Sequence, residues 1–155
     1  MNALAPKRWW DDDARMAVEA ANPTHVFASG ADARAAIELA VDHPATVVSL
    51  VLADPVFDVD SDTGERLLNS VTVPTLVIAS APESDTDLGV AQRLAGDIDN
   101  AVFVVVDGST NPVHTGSRES FHEWTSSFVT IAEGLALRSG TVLTPPTPLV
   151  EGEVR

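Results

Sequence analysis

The chain contains no cysteine at any of its 155 positions. That removes disulfides, thiolate zinc ligands and cysteine nucleophiles together, and it leaves the redox compartment open. Basic residues are scarce as well: 9 Lys and Arg stand against 23 Asp and Glu, a formal net charge of −14. Nucleic acid or an anionic membrane surface would meet repulsion instead of counterion release, so neither is expected as a partner. No apolar run approaches the roughly 20 residues of a membrane span, and the opening stretch MNALAPKRWWDDD lacks the apolar centre of a secretory signal. The expectation is a cytoplasmic protein without membrane insertion. No P-loop and no GxGxxG occurs. His25, His43, His114 and His122 are scattered with no HExxH pairing, which leaves a zinc site unsupported. No cofactor is expected.

What is present is a hydrophobic content of 45%, enough for one compact unit burying roughly 70% of its unfolded surface. Asp11, Asp12 and Asp13 suit a helix N-terminus, and Ala14, Ala17, Val18 and Ala21 share one helical face, so a short helix is predicted over 12–21. Pro23 ends it. Residues 24–28 form a short apolar, partly β-branched run, read as a buried strand on which His25 is a hydrogen-bonded core residue. After a turn at Ser29 and Gly30, Arg34, Glu38 and Asp42 line one stripe while Ala33, Ala36, Ile37 and Ala40 line the other, the pattern of a helix lying close on a sheet. His43-Pro44 stops that helix before 47–53, a nearly continuous apolar strand of the kind found inside parallel sheets.

Residues 54–72 are acidic and turn-rich, and a helical turn is expected at 65–70. Strand 75–79, helix 88–95 closed by Gly96, and strand 101–106 then repeat the alternation expected of right-handed βαβ units. Beyond a loop at 108–116, Phe121, Trp124, Phe128, Ile131 and Leu135 alternate spacings of three and four, and this ridge is predicted to pack a long helix on the sheet. From 139 onward the proline-rich tail continues neither a helix nor a central strand. The predicted organisation is an arm at 1–10, a domain at 11–138 and a tail at 139–155. The fold class is α/β, a small, mostly parallel sheet of about four strands flanked by helices.

Asp58, Asp60 and Asp62 alternate as in a calcium loop, but Thr63 stands where glycine is required and Asn69 where a bidentate glutamate is required. The stretch reads as a solvated acidic turn. Trp9 and Trp10 beside Lys7 and Arg8 read equally as an anchor for the N-terminus and as an interface hot spot.

In order and spacing, residues 11–137 resemble the C-terminal half of an α/β-hydrolase, truncated. HVFASGADARAAIELAVDHP resembles the nucleophile elbow and its helix, VVSLVLADP the next strand, VPTLVIASAPESDTD the strand that carries the acid, and FVVVDGSTNPVHTGSRESF the final strand, histidine loop and C-terminal helix. The resemblance puts Gly30 where the family has its serine, because a strained strand-to-helix turn there exposes the nucleophile. Ser29 precedes it and reads as a helix cap, with a displaced nucleophile as the alternative. Glu83 falls at the acid position, with Asp85 close by. Asn111 stands at the general-base position, where an amide cannot take a proton near neutral pH; His114 follows three residues later.

This degenerate triad, Gly30, Glu83 and Asn111, implies a non-catalytic accessory or interaction subunit, a pseudoenzyme. The alternative is a divergent hydrolase or small-molecule binder using Ser29, Glu83 and His114 at a site completed across an interface. A doubly wound domain unrelated to hydrolases, binding a ligand at the carboxyl ends of its strands, is a third reading. The resemblance also implies that the family's early strands are absent, which turns strand 24–28 into an edge in need of cover. A second copy, another protein subunit, or the segment bearing Trp9 and Trp10 would supply it, with His25 and Phe27 at the interface.

Overall fold

The structure, a computed structural model, describes residues 23–138. The predicted helix at 12–21, the arm with Trp9 and Trp10, and the tail at 139–155 lie outside the described residues. Four strands, β1 (Thr24–Ser29), β2 (Val47–Ala53), β3 (Thr75–Ala81) and β4 (Ala101–Asp107), form one sheet in chain order, and every neighbouring pair is parallel. A parallel sheet wound in one direction by right-handed crossovers puts all its crossover helices on the same face. Accordingly α1 (Ala33–Asp42), α2 (Asp62–Asn69) and α3 (Gly89–Asp97) share one core with Val26, Ala28, Leu50, Leu52, Val77 and Ala79. After β4 the chain makes a short turn of helix, α4 (Val113–Gly116), and returns across the opposite face as α5 (Arg118–Arg138). There Phe27, Val51, Leu76, Ile78 and Val104 pack with Phe121 and Phe128.

The alternation of side chains along each strand produces these two layers. β2 and β3 are buried at every position, which explains their near-continuous apolar sequences. Each fully buried leucine there, such as Leu50 or Leu52, contributes roughly 2 kcal/mol relative to exposure. In α1, Ala33, Ala36, Ile37 and Ala40 are the buried residues, and Arg34 pairs with Glu38 at 3.1 Å on the solvent side.

Three local expectations need correction. The acidic connector holds a full eight-residue helix that starts at Asp62, before the expected turn, because the Ser61 hydroxyl accepts the Gly64 N–H at 2.9 Å and caps it. Gly64 itself is required there, since a Cβ would collide with the Asp58 carbonyl and the Ser61 hydroxyl. Gly96 does not close α3, which continues to Asp97.

The third correction concerns α5. Phe121 and Phe128 are buried, but Trp124 is 50% exposed, Ile131 60% and Leu135 38%. The helix instead buries Thr125, Val129 and Ala132, whose small or short side chains allow close approach to the sheet. The Thr125 hydroxyl donates to the Phe121 carbonyl at 2.8 Å, so it carries no unpaired donor into the core.

Among the described residues the two sheet edges differ from each other. β1 lies at one edge, yet Thr24 to Ala28 are buried, and Thr24, His25 and Phe27 each make further interactions, so β1 is not a bare edge. β4, at the other edge, is the strand with exposed and half-buried side chains.

Candidate functional site

The carboxyl ends of the four strands converge on one end of the sheet, and the residues singled out by sequence meet there only in part. β1 ends in extended Ser29 (φ −129°, ψ 153°), and the next residue, Gly30, turns to φ +55° before a 3₁₀ turn, Gly30–Asp32, leads into α1. Glycine takes this left-handed conformation without the Cβ penalty. A Cβ built at Gly30 would meet nothing within 4 Å, so a side chain there would stand in open space. This is a sharp strand-to-helix turn of the kind that presents a nucleophile, with a hydrogen atom in place of the side chain.

Ser29 does not cap the turn, contrary to expectation: its side chain makes no capping bond. As the last residue of β1 it follows Phe27 by two positions and projects to the same sheet face.

Asp54 follows β2 directly and is the one non-glycine described residue with a positive φ, +46°. Such a conformation is strained for an L-residue, and the carboxylate holds it in place. Oδ1 accepts from the Ser80 amide at 2.9 Å and the Ser80 hydroxyl at 3.1 Å, while Oδ2 accepts from the Val113 amide at 2.8 Å. Asp54 thus ties the ends of β2 and β3 to the start of α4. Sequence reasoning missed it. Its signal was an acid closing an apolar run, but its donors lie 26 and 59 residues away.

His114, on α4, sets its ring edge-on to Phe27 at 5.3 Å between centroids and 5.9 Å from Phe121. Its Nδ1 is buried without a hydrogen-bond partner. Burial lowers the imidazole pKa below its usual 6.5, opposed by the negative charge of Asp54. Burial favours the neutral ring. A working relay needs a carboxylate orienting this imidazole and a hydroxyl at the elbow. Here the carboxylate nearby is engaged by three other donors, and the elbow has none.

The remaining site residues are dispersed. Glu83 and Asp85 are exposed on the loop after β3, where the Glu83 amide and carbonyl bond the Thr86 hydroxyl. Asn111 is exposed and shares a shallow cavity of about 170 Å³ with Asp54, Ser80, Asp87 and Leu88. Neither Glu83 nor His114 lines that cavity. In the acidic connector, Asp58 accepts the Asp60 amide and Asp60 pairs with Arg93 at 3.2 Å. Among the described residues no three His, Asp or Glu side chains are placed to share a metal ion.

A second serine–histidine–carboxylate line lies inside the protein. His25 Nδ1 is 2.6 Å from the Ser49 hydroxyl and Nε2 is 2.8 Å from Glu133 Oε2, so one ring joins β1, β2 and α5. His25 and Ser49 are fully buried, which denies a substrate access and makes the line a structural lock. The side chains of His25 and Phe27 are therefore enclosed by the chain itself.

No protein-family model matches the sequence, and no curated protein does. Among solved structures the chain is similar to a predicted CIB-like hydrolase from Thermoplasma acidophilum, with a TM-score of 0.61 and 16% identity over 71% of this chain and 51% of that one. It is also similar to a serine hydrolase from Cycloclasticus zankles, with a TM-score of 0.57 and 14% identity over 68% of this chain and 63% of that one. A thermophilic esterase gives a TM-score of 0.55 and 15% identity over 71% of this chain and 67% of that one. The fold is α/β-hydrolase-like, and the chain spans about half the length of the first of these neighbours. Among the described residues no helix is long and apolar enough to cross a membrane.

Proposed function

We propose that the protein is a non-catalytic α/β-hydrolase-like domain that works as an interaction or accessory subunit. The observation that carries this reading is Gly30, a residue without a side chain at the positive-φ turn where this fold presents a nucleophile. Two further features point the same way. The Asp54 carboxylate is committed to Ser80 and Val113, and His114 Nδ1 has no carboxylate to orient it. Acyl transfer by a Ser-His-acid relay depends on all three groups acting as a unit, so their separation removes most of the rate.

The structural neighbours are described as a hydrolase, a serine hydrolase and an esterase, which makes ester hydrolysis the activity to test. The purified chain is expected to hydrolyse p-nitrophenyl acetate no faster than buffer, and Ser29→Ala is expected to change nothing. Turnover that disappears in Ser29→Ala would overturn the reading. It would support the second one, a divergent hydrolase or small-molecule binder using Ser29, with Glu83 and His114 at a site completed across an interface. One observation favours that alternative: Ser29 spends no hydrogen bond on capping and projects to the sheet face on which His114 packs.

A further inference from the structure

The outer edge of β4 carries no strand among the described residues, and its sequence, AVFVVVD, contains none of the devices that keep a sheet edge from pairing. There is no proline, no lysine and no charge before Asp107. Its hydrogen-bonding groups can be assigned. The Asn100 carbonyl accepts from Thr75 and the Gly108 amide donates to Ala81, so even-numbered residues turn their backbone groups toward β3. By the period of two, Ala101, Phe103, Val105 and Asp107 present theirs outward.

A separate apolar surface lies beside this edge. Glu133 stands on the flank of α5 that faces β1, because it bonds His25. At 3.6 residues per turn, Trp124 and Ile131 fall about 180° and 160° around the helix from Glu133, on the flank toward β4. They are 50% and 60% exposed. α5 packs on β2 and β3, and Val102, on the same sheet face as Val104, is 50% exposed next to the uncovered strip.

We infer that a second copy of this chain docks on β4, pairing antiparallel about a dyad perpendicular to the sheet so that the two sheets join and Trp124 and Ile131 of each α5 meet across them. Only a dyad in this orientation keeps both α5 helices on one face while the strands run antiparallel, and it buries the strand edge and the helix flank together. Centring the pairing on Val104 sets Phe103 opposite Val105 and Val102 opposite Val106. Asp107 then falls opposite Ala101, so no like charges face each other in a chain of net charge −14. The inference rests on the interaction-subunit reading and names its partner. Mass and ester hydrolysis are separate readouts: a hydrolytic dimer would sink the non-catalytic reading alone, and an inert monomer would sink this one alone.

The test is sedimentation equilibrium of the full chain with two variants. Trp124→Glu places charge on the helix flank, and Val105→Pro removes an outward N–H that β3 does not use. Circular dichroism confirms folding of each. The wild type is expected at twice 16.3 kDa. Each variant is expected to raise the dissociation constant at least about tenfold, as for a central interface residue. A folded wild-type monomer at about 100 µM, around a hundredfold above a micromolar dissociation constant, would overturn the proposal. So would a dimer that both variants leave intact, or an open-ended aggregate in place of a closed dimer.

Discussion

The two edges of the sheet are built from similar apolar sequences and behave differently. β1 is closed: its side chains are buried, and His25 bonds both Ser49 of β2 and Glu133 of α5. β4 is open: one of its seven residues is buried, Val102 is half exposed, and its sole charge sits at its last position. An edge strand is defined by what lies over and beside it, and a polar lock across the sheet distinguishes these two more clearly than hydropathy does.

The comparison breaks most readily at the lock. Replacing His25 with Ala empties a fully buried volume and leaves the Ser49 hydroxyl without its bond, and it should destabilise the fold by about 3 kcal/mol in urea denaturation. A cost under about 0.5 kcal/mol would mean that β1 is no more structural than a surface strand. Asp54→Ala removes three hydrogen bonds that hold the ends of β2, β3 and α4 and should cost about 2 kcal/mol in the same assay. Gly30→Ala should cost about 1 kcal/mol, arising from the left-handed backbone alone, because the added Cβ meets nothing.

His114, packed on Phe27 of β1, gives a pH-dependent version of the test. Its unfolded value is near 6.5 and burial holds the folded ring lower, so folding favours the neutral form. The contribution is complete above the unfolded value and declines as pH falls from there through the lowered folded value, since the unfolded chain then binds more protons. Between about pH 7.5 and pH 5.5 the Tm of the wild type should fall further than that of His114→Phe. Equal falls would show that this ring is not a source of acid sensitivity. On the open edge, Val102→Thr should change the stability of the monomer by less than about 0.5 kcal/mol, measured below the concentration at which chains associate.

Much of this architecture was legible because it is periodic. The bounds of β2 follow from its nearly continuous apolar run, and the buried face of α1 from a repeat of 3.6 residues that no tertiary contact overrides. α5 shows the limit of that logic. Two stripes cross at Phe121 and Phe128, and the one with the larger side chains, through Trp124 and Ile131, looked like the core. The helix is rotated toward β1 instead, where Thr125, Val129 and Ala132 fit under the sheet and Glu133 reaches His25. A bond between positions 25 and 133 has no signature in either local segment. The elbow was legible through Gly30 and its flanking strand and helix, whereas Asp54 depended on donors from two other elements. Ser29 reads as a cap because the motif specifies residue types, but its side chain makes no capping bond to the 3₁₀ turn that follows.

The contrast between the edges is tested most directly by amide hydrogen exchange, residue by residue, in the wild type and in Trp124→Glu. The outward amides of Phe103 and Val105 are expected to be protected in the wild type and to exchange rapidly in the variant, while the amides of Val26 and Ala28, which face β2, keep their protection in both. Protection at Phe103 and Val105 that survives the substitution, or a loss that falls on β1 instead, would contradict that contrast.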